Sequence, residues 1–166
     1  MRVWLARLAL VTAIGAAGFW AWQFLFPSPE HVIRKRLGEL AAAASIAPNE
    51  GALAKLAKTQ KLIGFFTSDV QITVDVPGRS LQTFNGRDEI QQAALGARGL
   101  LSTLKVQFLD VFVSVVSDKQ SGQAHLTATV TLPGEKLPEV QELEMHFKKV
   151  DHDWLINHVE TVKTLR

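Results

Sequence analysis

Gln123 Ala124 His125 Leu126 Thr127 Ala128 Thr129 Val130 Thr131 Leu132 is the stretch that decides the fold. Apolar and polar residues alternate without a break, so one face of a strand is greasy and the other is wet. The same period continues downstream, where Leu143, Met145 and Phe147 alternate with Glu142, Glu144, His146 and Lys148. Four strand runs are read here, at 104–116, 123–132, 140–149 and 154–162. The breaks between them are 117–122, Pro133 Gly134 and Asp151 to Asp153, each carrying turn residues.

Working back from these strands, Asn85 Gly86 opens a helix carrying Ile90, Ala94 and Ala97 at helical spacing. A short strand over 81–84 precedes it, behind a Pro77 Gly78 turn. Before that turn Val70, Ile72, Val74 and Val76 alternate with Asp69, Gln71, Thr73 and Asp75, a half-buried strand. Two amphipathic helices come earlier still. The first is capped by Ser28 with Pro29 at its first position, carries Ile33, Leu37, Leu40 and Ala44, and runs to about Ala47. Pro48 breaks it, Asn49 is the expected cap of the second, and Leu53, Leu56 and Ile63 line the inner side while Lys55, Lys58 and Lys61 stay outside. The expected fold class is α+β: a curved antiparallel sheet with one apolar face, wrapped around three helices.

The N-terminus reads differently. Leu8 to Phe26 contains no charged residue over 19 positions, close to the roughly 20 that cross a hydrocarbon core as helix. Trp4 at one end and Trp20 and Trp22 at the other suit the two interfaces. A cleaved signal peptide is the alternative, since Arg2 and Arg7 precede an apolar run. Bulky residues from Phe19 to Phe26 stand where its small-residue cleavage site belongs. The expected organisation is therefore a single-pass membrane anchor over 1–27, inserted through residues 8–26, and one domain over 28–166. Arg2 and Arg7 compete with Arg34, Lys35 and Arg36 for the inner side. The second cluster falls inside the first soluble helix, so the domain is expected on the extracytoplasmic side, the periplasm if the source is bacterial.

Composition removes several function classes. Eighteen basic and sixteen acidic residues give a net charge of +2 with the basic residues scattered, so nucleic acid is not an expected partner. There is no cysteine, which excludes disulfides, thiolate nucleophiles and cysteine-ligated metals. His146 and His152 with Asp151 and Asp153 straddle a turn without recognised ligand spacing, so neither a metal nor a cofactor is expected.

Three local words carry a family resemblance: Phe65 Phe66 Thr67 Ser68 Asp69 Val70 Gln71 Ile72 leading into the first strand, Phe84 Asn85 Gly86 Arg87 Asp88 Glu89 Ile90 at the strand-to-helix turn, and Trp154 Leu155 Ile156 Asn157 His158 in the last strand. With the element order they resemble the nuclear transport factor 2-like superfamily, which includes SnoaL-like proteins and ketosteroid isomerase. The resemblance covers about residues 30–164. It implies a cone with a pocket at its wide end and a homodimer through the outer sheet face. The chain departs from the isomerase pattern. Val76, not a carboxylate, precedes Pro77, Met145 stands two residues before Phe147 where the acid partner belongs, and there is no tyrosine to donate to an oxyanion.

The expected pocket lining is Phe65, Phe108, Phe112, Met145, Phe147, Trp154 and Ile156, and the expected function is noncatalytic binding of a small apolar ligand or a protein partner. The competing expectation is a small isomerase, dehydratase or hydrolase with Asp75, Asp110 or His158 as general base. His158 shares parity with Trp154 and Ile156, and Asp110 with Phe108 and Phe112. The plainer readings are a hydrogen-bonded structural histidine and a carboxylate satisfied at a turn or sheet edge, with a bulge able to turn Asp110 either way.

Overall fold

The computed structural model describes residues 28–75, 81–135 and 137–162. In chain order the elements are α1 (Pro29–Ala44), α2 (Ala52–Ile63), β1 (Phe66–Val74), β2 (Gln82–Asn85), α3 (Gly86–Leu100), β3 (Lys105–Val115), β4 (Ser121–Thr131), β5 (Glu139–Val150) and β6 (Asp153–Thr161). The strands form one six-stranded sheet in the order β2-β1-β6-β5-β4-β3. All neighbours are antiparallel except β1 and β6, which run parallel. That junction departs from the purely antiparallel sheet expected. It arises because the chain leaves β1–β2 through a helix, and such a crossover brings a later strand back in the same direction.

Local chemistry sets the helix ends. Ser28 caps α1, its hydroxyl accepting from the His31 amide. The helix stops at Ala44, short of the expected Ala47, because Ser45 turns its hydroxyl onto the Ala41 carbonyl and Ile46 peels away to bridge Leu104. Asn49 does not cap α2. It sits at φ 58, and Gly51 is the cap. At the start of α3 the Glu89 carboxylate accepts from the Asn85 amide at 2.6 Å. Gly86 has φ +77 and lies where a Cβ would stand 3.3 Å from the Ser68 carbonyl, so the turn requires glycine.

The core lies between α1 and the inner face of β4, β5 and β6. Ile33, Leu37, Leu40 and Ala43 pack on Ala124, Leu126, Leu143, Met145, Phe147, Trp154, Ile156 and Val159. Gly122 allows α1 to come close, since a Cβ there would meet the end of Ile33 at 3.1 Å. The alternation read from sequence holds from Gln123 to Thr129 in β4 and from Glu142 to Lys148 in β5, while Val130 is half-buried like its threonine neighbours.

α2 departs from expectation. Leu53 is 84% exposed and Leu56 is also exposed, while Thr59 is the residue fully buried, its hydroxyl donating to the Lys55 carbonyl. Lys58, at the edge of the buried side, pairs with the buried Glu50 carboxylate. Among the described residues no helix is long and apolar enough to cross a membrane. The expected anchor over residues 8–26 lies outside the described residues, as do Val76 and Pro77.

Candidate functional site

An apolar cavity of about 240 Å³ lies between α2, α3, β1 and β2. Leu62, Ile72, Phe84 and Ile90 line it together with Ala44, Ile46, Leu104 and three alanines of α3: Ala93, Ala94 and Ala97. The stripe Ile90, Ala94, Ala97 does face inward, but side chains of one carbon cannot reach the opposite wall. That is why this part of the interior stays open while α1 closes its own half with leucine and isoleucine.

The one charged group in the wall is Arg98. Its side chain is 2% exposed, and it meets Glu50, whose side chain is 3% exposed, at 2.7 Å. A second guanidinium nitrogen donates to the Ala43 carbonyl, and Lys58 reaches the other oxygen of Glu50. Burial pushes the Glu50 carboxyl up, but the hydrogen bond from Lys58 and the charge of Arg98 outweigh it and hold the group below its ordinary value. The arrangement fastens the end of α3 to the α1–α2 connection and to α2. It also consumes the charge, so the cavity offers a ligand an apolar wall and no free ion. Sequence reasoning passed over Arg98 and Glu50. The available signal was that Arg98 continues the Ile90–Ala94 row at the next i+4 position.

The expected lining residues fall elsewhere. Phe65, Met145, Phe147, Trp154 and Ile156 are all buried in the packed core and do not line this cavity. Phe108 packs half-buried against that core. Phe112 is 66% exposed. The reason is a bulge in β3: Leu109 pairs with Thr127 and Phe112 with His125, leaving one residue too many. Asp110 absorbs it at φ 51. Past the bulge Val111 and Val113 face inward, and Phe112 turns out.

A second bulge relocates His158. His146 pairs with His158 but Phe147 pairs with Ile156, so Asn157 is the extra residue. Val159 therefore takes the inner face, and His158 lies on the outer face against His146, with ring centroids 5.6 Å apart in edge-to-face geometry. The expected core-facing orientation is corrected by that single insertion.

The three residues put forward as general bases thus do not converge on the apolar cavity. Asp110 lines an outer hollow with His125, Thr127 and Glu142. Asp75 is exposed and lines another with Thr73, Glu144 and Glu160; its amide donates to the Thr161 hydroxyl at 3.0 Å.

A profile of the SnoaL-like domain family matches residues 52–160. No curated protein matches the chain. Solved structures of similar fold include a nuclear transport factor 2-like protein of unknown function from Pseudomonas putida, 10% identical, with 82% of this chain and 87% of that one covered at a TM-score of 0.62. A provisionally assigned scytalone dehydratase from Novosphingobium aromaticivorans is 14% identical over 81% and 83% at 0.56. A protein of unknown function from Mycobacterium tuberculosis is 17% identical over 83% and 76% at 0.58. At such identities the likeness is one of fold, a cone of curved sheet around helices. Because the profile runs from α2 to the last residues of β6, the chain belongs to the SnoaL-like domain family.

Proposed function

We propose that this domain is a membrane-tethered binding module whose cavity takes one small apolar ligand. The observation that carries the reading is the cavity wall: apolar side chains on every element and a single arginine already neutralised by Glu50. Burial of apolar ligand surface supplies the affinity in such a site. About 240 Å³ exceeds the roughly 150 Å³ apolar cavity that holds benzene, so a one- or two-ring hydrocarbon skeleton is the matching size. The tether is residues 8–26, and the charge balance around them favours an extracytoplasmic domain. A homodimer through the outer sheet face leaves the cavity open, because the cavity lies on the helix side. Enzymatic use of the fold is the competing proposal. It has less support here, since Asp75, Asp110 and His158 lie away from the apolar wall.

The test uses the detergent-solubilised full chain and naphthalene as probe. Saturable binding at one molecule per chain that Ala94→Trp abolishes, with the unfolding temperature kept, is the expected result. Naphthalene binding that survives Ala94→Trp unchanged, or no saturable binding, overturns the reading.

A further inference from the structure

The outer sheet face carries a side-chain array that the cavity does not use. In the ladder between β5 and β6, Glu144 stands directly opposite Glu160 and His146 directly opposite His158. Two carboxylates and two imidazoles therefore occupy the corners of a rectangle on one face of two hydrogen-bonded strands. Directly opposed side chains in such a ladder have Cβ atoms about 4.5–5.5 Å apart. The Asn157 bulge is what brings His158 into the rectangle, since unbroken alternation would have placed it in the core.

From this geometry we infer that Glu144, His146 and Glu160 bind a divalent transition-metal ion of the zinc class, with water completing the coordination. Three observations support the inference. One ligand atom from each of Glu144, His146 and Glu160 lies within 4.8 Å of the others. A tetrahedral zinc site with bonds of about 2.0–2.1 Å needs its donors roughly 3.3–3.4 Å apart. The strands fix the backbones, so binding asks side-chain rotation to close the remaining gap.

Next, Glu144 and Glu160 are like charges set directly opposite each other, a pairing that destabilises a sheet. Their ion-pair partners among the described residues are all imidazoles: His146 at 2.9 Å and His125 at 3.5 Å for Glu144, and His158 at 3.7 Å for Glu160. Among the described residues no lysine or arginine forms an ion pair with either carboxylate, and a dication would offset the repulsion. Finally, Glu144 is held from the neighbouring strand β4. Gln123 donates to it, and the Gln123 side chain lies 3.1 Å from the His125 ring. Outer partners of this kind fix the direction of a metal-ligating carboxylate. The donor set of imidazole nitrogen and carboxylate oxygen without sulfur suits Zn2+ and Co2+ better than copper(I) or calcium.

The experiment is titration of the untagged, detergent-solubilised full chain with ZnCl2 by calorimetry, and with CoCl2 by visible absorption. Expected are one ion per chain, cobalt bands in the visible, and affinity at least about tenfold weaker in His146→Ala and in Glu160→Gln. His152→Ala, on the neighbouring turn, should bind as the unchanged protein does. Glu160→Gln removes repulsion and should fold, so it keeps the test open should His146→Ala fail to fold. Absence of saturable zinc binding, or undiminished binding in Glu160→Gln, overturns the inference.

Discussion

The two halves of the interior are built from the same sheet and end in opposite states. Between α1 and β4–β6, leucine, isoleucine, phenylalanine and tryptophan form one buried cluster. Between α2, α3 and β1–β2, alanines face the sheet and about 240 Å³ stays open. Backbone architecture alone therefore does not make a pocket in this cone. Side-chain length on the covering helix does, and a buried ion pair fastens the end of that helix.

Trp154→Ala is the hardest test of this contrast. In the packed half it should cost about 3–5 kcal/mol by loss of transfer energy and the cavity left behind, measured by chemical denaturation. A loss below about 1 kcal/mol would mean that this half is not close-packed. Glu50→Ala probes the open half. It strands the Arg98 guanidinium without its carboxylate, and breaking a buried pair in this way costs about 3 kcal/mol or more. It should also weaken naphthalene binding by loosening the end of α3.

The same pair sets a pH dependence. The Glu50 carboxyl is held below its ordinary value in the folded protein, so its contribution is present above the unfolded-state value of about 4.3. That contribution is lost as pH falls through the lower folded value. The stability difference between the unchanged protein and Glu50→Ala should thus shrink as pH drops below about 4.3. A difference that stays constant down to acid unfolding would remove the ion pair from the account.

The smallest effects discriminate most sharply. Ala124→Leu and Ala97→Leu make the same change on opposite sides of the comparison. Ala124 is fully buried, so overpacking there should cost about 1–3 kcal/mol. Ala97 faces the cavity, and the added carbons should be neutral or stabilising by up to about 1 kcal/mol while reducing naphthalene uptake. Equal costs at the two positions would erase the distinction.

Much of the fold was legible because its signals are local. The alternation in β4 and β5 reports a half-buried strand directly, and Ser28 with Pro29 marks the start of α1. The site was far less legible. Phe112 and His158 were placed by counting in twos from an apolar neighbour, and in each case a bulge intervened, while for Asp110 a bulge was foreseen but not its direction. Leu53 and Leu56 were placed by helical spacing, which carries no information about Lys58 pairing with Glu50.

By itself the sequence determined an α+β chain with a one-sided sheet, three helices to cover it, and no cysteine or tyrosine chemistry. These follow from residue period and composition, which belong to each segment alone. The tertiary structure decided which residues meet: the parallel β1–β6 junction, the Arg98–Glu50 pair, the alanine-lined cavity, and the rectangle of Glu144, His146, His158 and Glu160. A strand's parity holds only until its neighbour's ladder leaves one residue unpaired. That mismatch is a property of two strands hydrogen-bonded together, and a single inserted residue sends every later side chain to the other face.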